Sequence, residues 1–268
     1  MKIGNRRLVL GAVIGLLVFT SVAGVPEKGA ASSCCDEAQA ILKRMADLLK
    51  HTQQYTVTVD SEYDVVQKSG EKIEFGEVRK LTVVRPDRIR VDTESRDGRK
   101  GTLCYNGQDI VIFDARDNVY SSARKPADLD HLFDHFKDDL EMNMPLGQVF
   151  SAALEKVKTK KISSVYYVGE ATITGVRCDH LAGTTGKVDF QIYVAQGDQP
   201  LPRRIVITYR KETAKPQFRA QLSDWQLNVN VSESTFAFTP PQGAERIPFL
   251  AQVRLAQKQK AKTLQIKQ

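Results

Sequence analysis

Two periodicities divide the chain. From Asp36 to His51 apolar residues recur at helical spacing, with Ala38, Ile41, Leu42, Met45, Leu48 and Leu49 on one face and Asp36 as the expected N-cap. From Gln53 the period drops to two. Tyr55–Val59 and Tyr63–Val66 read as strands, and Lys68-Ser69-Gly70 marks a turn. Ile73, Phe75, Leu81 and Val83 share one parity in the next segment, and Pro86-Asp87 breaks it. Ile89 and Val91 then alternate with Arg88, Arg90 and Asp92, while Asp97-Gly98, Asn106-Gly107 and Asp117-Asn118 read as hairpin turns.

Helical spacing returns between Pro126 and Leu140. Leu129, Leu132, Phe133, Phe136 and Leu140 form one apolar stripe, and Pro145–Lys156 reads as a second helix with proline in its first turn. Strands resume at Ile162–Val168, Ala171–Ile173 and Val176–Ala182. Val188, Phe190, Ile192 and Val194 then alternate with polar neighbours, as do Ile205, Ile207 and Tyr209 after the Pro200–Pro202 turn. Phe218, Ala220 and Leu222 hold one parity and Trp225, Leu227 and Val229 the other, so a β-bulge is expected near Ser223-Asp224.

The pattern predicts an α+β fold of about ten or eleven strands with short, hence antiparallel, connections. A twisted sheet of that width curls. The helical stripe must bury itself, and the concave face is its available partner. The expectation is a strongly curved, unclosed half-barrel with helices covering the concave face, spanning residues 36–250.

Charge adds little to this fold. The chain of 268 residues has a net charge of +7, but residues 1–24 carry +3 and residues 251–268 carry +5 with no acid in either, leaving −1 for residues 25–250. A nucleic-acid domain would carry its basic stripe on the fold itself, so that function class is excluded. The basic tail from Ala251 has the composition of a disordered segment.

The two ends also suggest a location. Lys2, Arg6 and Arg7 precede the apolar run Leu8–Val25, with Ser21-Val22-Ala23 as a cleavage site, the layout of a secretory signal peptide. An uncleaved inner-membrane anchor formed by residues 8–25 is the competing reading, and a lipoprotein through Cys34 or Cys35 a weaker third. All three export the domain to the periplasm. Export permits a disulfide, and Cys104 and Cys178 both sit in strand-like segments; the alternative is that they are buried free thiols.

Catalytic motifs are absent. Gly183-Thr-Thr-Gly-Lys187 has two residues between its glycines where a phosphate loop needs four, so it reads as a turn between strands. His131 and His135 stand i, i+4 on the helix face opposite the stripe, but Leu132 occupies the position where a zinc hydrolase needs glutamate. No catalytic, metal or cofactor residues are assigned. What remains is an apolar concave surface. Ile73, Phe75, Val83, Ile89 and Val91 are its expected members from the first half of the chain, and Phe190, Ile192, Ile205, Ile207 and Trp225 from the second. Leu129, Leu132, Phe133 and Phe136 are the expected lid. A completely filled core is the plainer reading of the same residues.

Several segments are more specific. Val168-Gly-Glu170, Gly175-Val-Arg-Cys-Asp-His-Leu181, Asp189–Tyr193, Pro200-Leu-Pro-Arg-Arg204, Pro216-Gln-Phe218, Trp225 and Phe236–Ala244, with Arg85-Pro-Asp-Arg88 and Asn106-Gly107, resemble a family of predicted periplasmic proteins of unknown function. That family is similar to the LolA/LolB-like lipoprotein-carrier superfamily. The resemblance implies a LolA-like unclosed barrel with a helical lid and an apolar cavity for acyl chains. It implies no catalytic residues, and none of the carriers' gating residues can be placed here.

The expected function is therefore a non-catalytic periplasmic binding protein for a lipid, acyl chain or other hydrophobic ligand. Its expected partners are a lipid or acylated protein, with membrane contact only through the leader or tail, and its expected state is monomeric. The alternative is an envelope interaction or sensor module with a filled core. An enzyme, metal-dependent through His131 and His135, is the third reading.

Overall fold

The computed structural model describes residues 28–138 and 162–249. The leader, the helix expected at Pro145–Lys156 and the basic tail lie outside them. The chain opens with α1 (Lys28–His51) and then lays down β1 (Gln54–Val66), β2 (Lys72–Val84), β3 (Arg88–Ser95), β4 (Lys100–Asn106), β5 (Asp109–Asp114) and β6 (Val119–Arg124). Next come α2 (Leu129–Asp138), β7 (Ile162–Ile173), β8 (Val176–Thr185), β9 (Val188–Ala195), β10 (Pro202–Tyr209), β11 (Gln217–Leu227), a single 3-10 turn (Glu233–Phe236) and β12 (Glu245–Arg246). Among the described residues no helix is long and apolar enough to cross a membrane.

All twelve strands form one sheet in the order β12-β6-β5-β4-β3-β2-β1-β11-β10-β9-β8-β7. The chain starts in the middle of the sheet at β1 and steps outward by hairpins to β6. It then crosses to the opposite edge and steps back inward from β7 to β11, which pairs antiparallel with β1. Among the described residues the pairing is parallel only where β12 meets β6. β12 and β7 end the order unpaired with each other, so the sheet is unclosed.

The expected turns and bulge locate these strands. Glycines at positive φ turn the hairpins at Gly98 and Gly107. The register of β1 against β11 slips between Thr56 and Thr58, where Asp224 takes a positive φ of 52°. Two residues there oppose one, which turns Trp225 back to the side of Leu222. The count exceeds the expected ten or eleven because β12 has two residues, too few for any period.

Three expectations need correction. α1 begins at Lys28, so Asp36 lies inside the helix and is not its cap; the added turns carry no amphipathic stripe for the period to detect. Tyr55–Val59 and Tyr63–Val66 form one 13-residue strand. Gly183, Thr184 and Thr185 belong to β8, and the turn is confined to Gly186-Lys187.

Register divides the sheet into two faces. On one, Tyr55, Val83, Ile89, Tyr105 and Ile110 lie directly opposite one another across β1–β5, and all are buried. Val57, Leu81, Val91, Leu103 and Ile112 form the next row. α1 adds Ala38, Ile41, Met45 and Leu49 to the same contiguous core, and α2 adds Leu129, Leu132 and Phe136. The other face is charged. Asp64, with a side chain only 5% exposed, accepts hydrogen bonds from the Arg219 guanidinium at 3.0 Å and the Gln217 amide at 2.9 Å. Toward the β6 edge of that face, Phe238 sets its ring 5.5 Å from Phe113 and 5.7 Å from Tyr120.

Candidate functional site

The ten residues expected to line a cavity share the apolar face but not one environment. Val83, Ile89, Val91, Ile192 and Ile205 are buried in the core, with Phe190, Ile207 and Trp225 partly buried against it. Ile73 and Phe75 are 46% and 45% exposed. They belong to a patch whose other members, Tyr63 and Val65, are each 37% exposed. Tyr63 opposes Phe75 and Val65 opposes Ile73 at the turn end of the β1–β2 hairpin, with the Tyr63 and Phe75 rings stacked at 6.1 Å.

This open patch continues into covered sheet. The row Phe75, Tyr63, Phe218, Ile207, Phe190, Gly183, Val165 crosses β2, β1, β11, β10, β9, β8 and β7 in register. Gly183 lets the row pass, because a Cβ there would stand 2.5 Å from the Phe190 ring and 2.6 Å from the Ser164 carbonyl oxygen. The Phe190 ring thus lies over the backbone of β8.

Between the buried rows and the open patch the same face turns polar. Arg79 and Glu77 occupy the inward positions of β2 between Leu81 and Phe75, opposite Val59 and Ser61 on β1 and Thr93 and Ser95 on β3. The Arg79 guanidinium donates to the Glu77 carboxylate. Sequence reasoning missed this pair, together with Tyr63 and Val65 as members of the patch. The alternation Ile73-x-Phe75-x-Glu77-x-Arg79-x-Leu81-x-Val83 carries the signal in full.

α2 packs Leu129, Leu132 and Phe136 into the core and is tied to the opposite end of the β1–β2 hairpin. Asp128 caps the helix, its Oδ1 accepting the His131 amide at 2.9 Å while its carbonyl accepts the Leu132 amide at 2.9 Å. The Leu129 amide donates to the Pro86 carbonyl at 2.9 Å, tying the helix to the β2–β3 turn. The Tyr105 hydroxyl lies 2.7 Å from the Ala127 carbonyl and accepts the Ala127 amide at 2.8 Å. In the same row on β1, Tyr55 is fully buried, with its ring 5.7 Å from that of Trp225. Burial pushes the Tyr55 phenol up to about 12, against the partial opposition of Arg85. Of the expected lid residues, Leu129, Leu132 and Phe136 are buried in the core; the Phe133 side chain lies outside the described residues.

The remaining candidates separate. Cys104 and Cys178 are free thiols on β4 and β8, with six strands between them in the sheet order, so the disulfide between them is not formed. Burial raises both thiols above their usual range. The His131 ring sets its Nδ1 2.7 Å from Asp128 Oδ1, and among the described residues no three His, Cys, Asp or Glu side chains gather as a metal site would need. A surface hollow of about 360 Å³ is lined by Asp97–Lys100, Ala115 and Arg116, and none of the expected cavity residues reaches it.

The family described as "Predicted periplasmic protein (DUF2092)" matches residues 38–250. No curated protein matches the chain. Among solved structures, lipoprotein LppX of Mycobacterium tuberculosis is 13% identical, covering 74% of this chain and 99% of that one at a TM-score of 0.45. LprF from Mycobacterium bovis is 14% identical, covering 78% and 98% at 0.47. A LolA superfamily protein from Nitrosomonas europaea is 11% identical, covering 75% and 97% at 0.37.

Proposed function

The chain belongs to the DUF2092 family of predicted periplasmic proteins, and from that premise we propose that it is a non-catalytic binding protein that holds a lipid, acyl chain or other hydrophobic ligand against the inner face of its sheet. The observation that carries this reading is the row from Phe75 to Val165, apolar across seven strands and uncovered at its β1–β2 end. Isolated exposed apolar residues are ordinary; four of them contiguous with a core face are a surface prepared for cover. Each methylene buried there contributes about 0.8 kcal/mol, so an acyl chain is held without a charged anchor.

The sheet is read as a half-barrel. Residues from β4 to β8 share one contiguous core with two helices, a grouping that a flat sheet of this width would not support. In this reading α1 and α2 cover the concave side, and Leu129, Leu132, Phe133 and Phe136 form the lid. Phe190 and Ile207, half-buried beside the patch, line the inner part of the ligand's path, Trp225 its far end next to Tyr55, and Ile73 and Phe75 its mouth.

A second reading, a partner strand added along β7, draws on the exposure of Tyr166 and Val168. The register breaks of β7 between Ile162 and Ser164 and between Tyr167 and Gly169 weigh against it, since bulges blunt an edge.

The test is native mass spectrometry of the exported full chain, followed by lipid extraction. The expected result is a co-purifying acyl species that disappears in the double variant Ile73→Ser/Phe75→Ser, whose exposed positions leave the fold intact. A wild-type protein that carries no such species and takes up no added dodecyl chain would overturn the reading.

A further inference from the structure

The inner face of the β1–β2 hairpin is apolar at both ends and charged in the middle, and we propose that the middle seats a zwitterionic headgroup, so that the ligand is an amphiphile with paired charges. This rests on the binding role proposed above for the apolar face.

The charged positions are Glu77 and Arg79, whose side chains are 15% and 26% exposed. They face the same side as Leu81 and Val83 behind them and Phe75 and Ile73 in front. Ser61, fully buried beside them, donates its hydroxyl to the Glu77 carbonyl at 3.3 Å. Thr93 and Ser95 continue the polar band onto β3. A half-screened ion pair gains the fold little, and two apolar residues would continue the rows on either side without a desolvation penalty. Stability therefore does not account for the pair.

Its chemistry suits a ligand carrying both signs. A guanidinium has five N–H donors and a carboxylate two acceptor oxygens, so one mutual hydrogen bond leaves both with capacity for a further partner. A lone anion at Arg79 meets Glu77, and a lone cation at Glu77 meets Arg79. A phosphate next to an ammonium complements both at once. From Glu77 the next inward position is Phe75, roughly 7 Å along the strand, so a tail leaving the headgroup runs directly onto the Phe75–Tyr63 and Ile73–Val65 rows.

The experiment titrates the purified full chain with dodecylphosphocholine, laurate and dodecyltrimethylammonium, each below its micelle threshold, by calorimetry. These share one tail length and differ in head charge. Dodecylphosphocholine is expected to bind about tenfold more tightly than either of the others, as one charge-assisted hydrogen bond would give. Arg79→Gln should abolish that advantage, and Glu77→Gln should shift the preference to laurate. Equal affinity for all three on the wild-type chain overturns the headgroup seat while leaving the apolar face as a binding surface. Binding of none overturns both. The comparison among ligands on the wild-type chain needs no variant to fold.

Discussion

The two ends of the β1–β2 hairpin are built from the same kind of residue in the same alternation, yet one is sealed and the other open. At the α2 end, Tyr55, Val57, Leu81 and Val83 are buried. At the turn end, Tyr63, Val65, Ile73 and Phe75 are exposed by more than a third. The strands themselves do not differ, and β1 and β2 pair without interruption over 13 positions. What differs is cover. Such strands run roughly 40 Å, far enough for one part of a face to lie under packed elements and another to meet solvent. Leu129, Leu132 and Phe136 of α2 and Ala38, Ile41, Met45 and Leu49 of α1 share one core with the buried end, and the apolar pattern continues beyond it. Alternation specifies which face is apolar; a second element decides whether that face is core or site.

The comparison breaks most sharply through paired truncations. Phe136→Ala, in the sealed end, removes a ring buried in the core and should destabilise the fold by about 3–5 kcal/mol. Phe75→Ala, in the open end, should cost under about 1 kcal/mol, because the ring already meets solvent. Urea denaturation midpoints at equal slope measure both. Equal losses would mean that the turn end is also core, and the ligand reading would lose its surface.

Much of this contrast was legible in the alternation, but not the contrast itself. The Asp97-Gly98 and Asn106-Gly107 turns and the slip at Ser223-Asp224 carry local chemistry, so they could be read directly. The pairing of β1 with β11 has no such signature, since any strand of matching period would serve as its neighbour. Cys104 and Cys178 fail for the same reason: both are strand residues, and only the sheet order places six strands between them. For the site, period two grouped Ile73 and Phe75 with Val83, but burial is a property of whatever lies above the face, which alternation does not record. Glu77 and Arg79 stood in plain alternation between them. They were missed because reading only the apolar members of a row discards its exceptions.

Alkaline pH sharpens the comparison from the sealed side. Tyr55 titrates near 12 in the folded protein against an ordinary 10, because its burial disfavours the phenolate. Between these values the unfolded chain has released the proton and the folded chain retains it, so stability falls as pH rises. The loss amounts to roughly 2–3 kcal/mol across that window, and none of it is present below pH 10. Tyr55→Phe should remove this part of the slope, and chemical denaturation at pH 9, 10, 11 and 12 would resolve it. If Tyr55→Phe keeps the full slope, water reaches the sealed end and the two ends are alike.

The smallest expected effect falls on the seal itself. Asp128 accepts the His131 amide at the start of α2, and losing a cap of this kind costs about 1 kcal/mol. The carboxyl sits below its usual range: partial burial would raise it, but the hydrogen bonds from the His131 amide and ring outweigh that. Its stabilisation is therefore present above the ordinary carboxylate range and lost as pH falls through the lowered folded value. Asp128→Ala should reproduce the acid loss at neutral pH. Amide hydrogen exchange is the sharper readout, because the change should be local. Exchange should quicken at the Leu129 and Leu132 amides, which donate to the Pro86 and Asp128 carbonyls. The pairing of Tyr63 with Phe75 should exchange as before, since no part of α2 holds it. Asp128→Ala that quickens both ends together would show one cooperative unit in place of a sealed end and an open one, and opening α2 would then be the route by which the whole face becomes available.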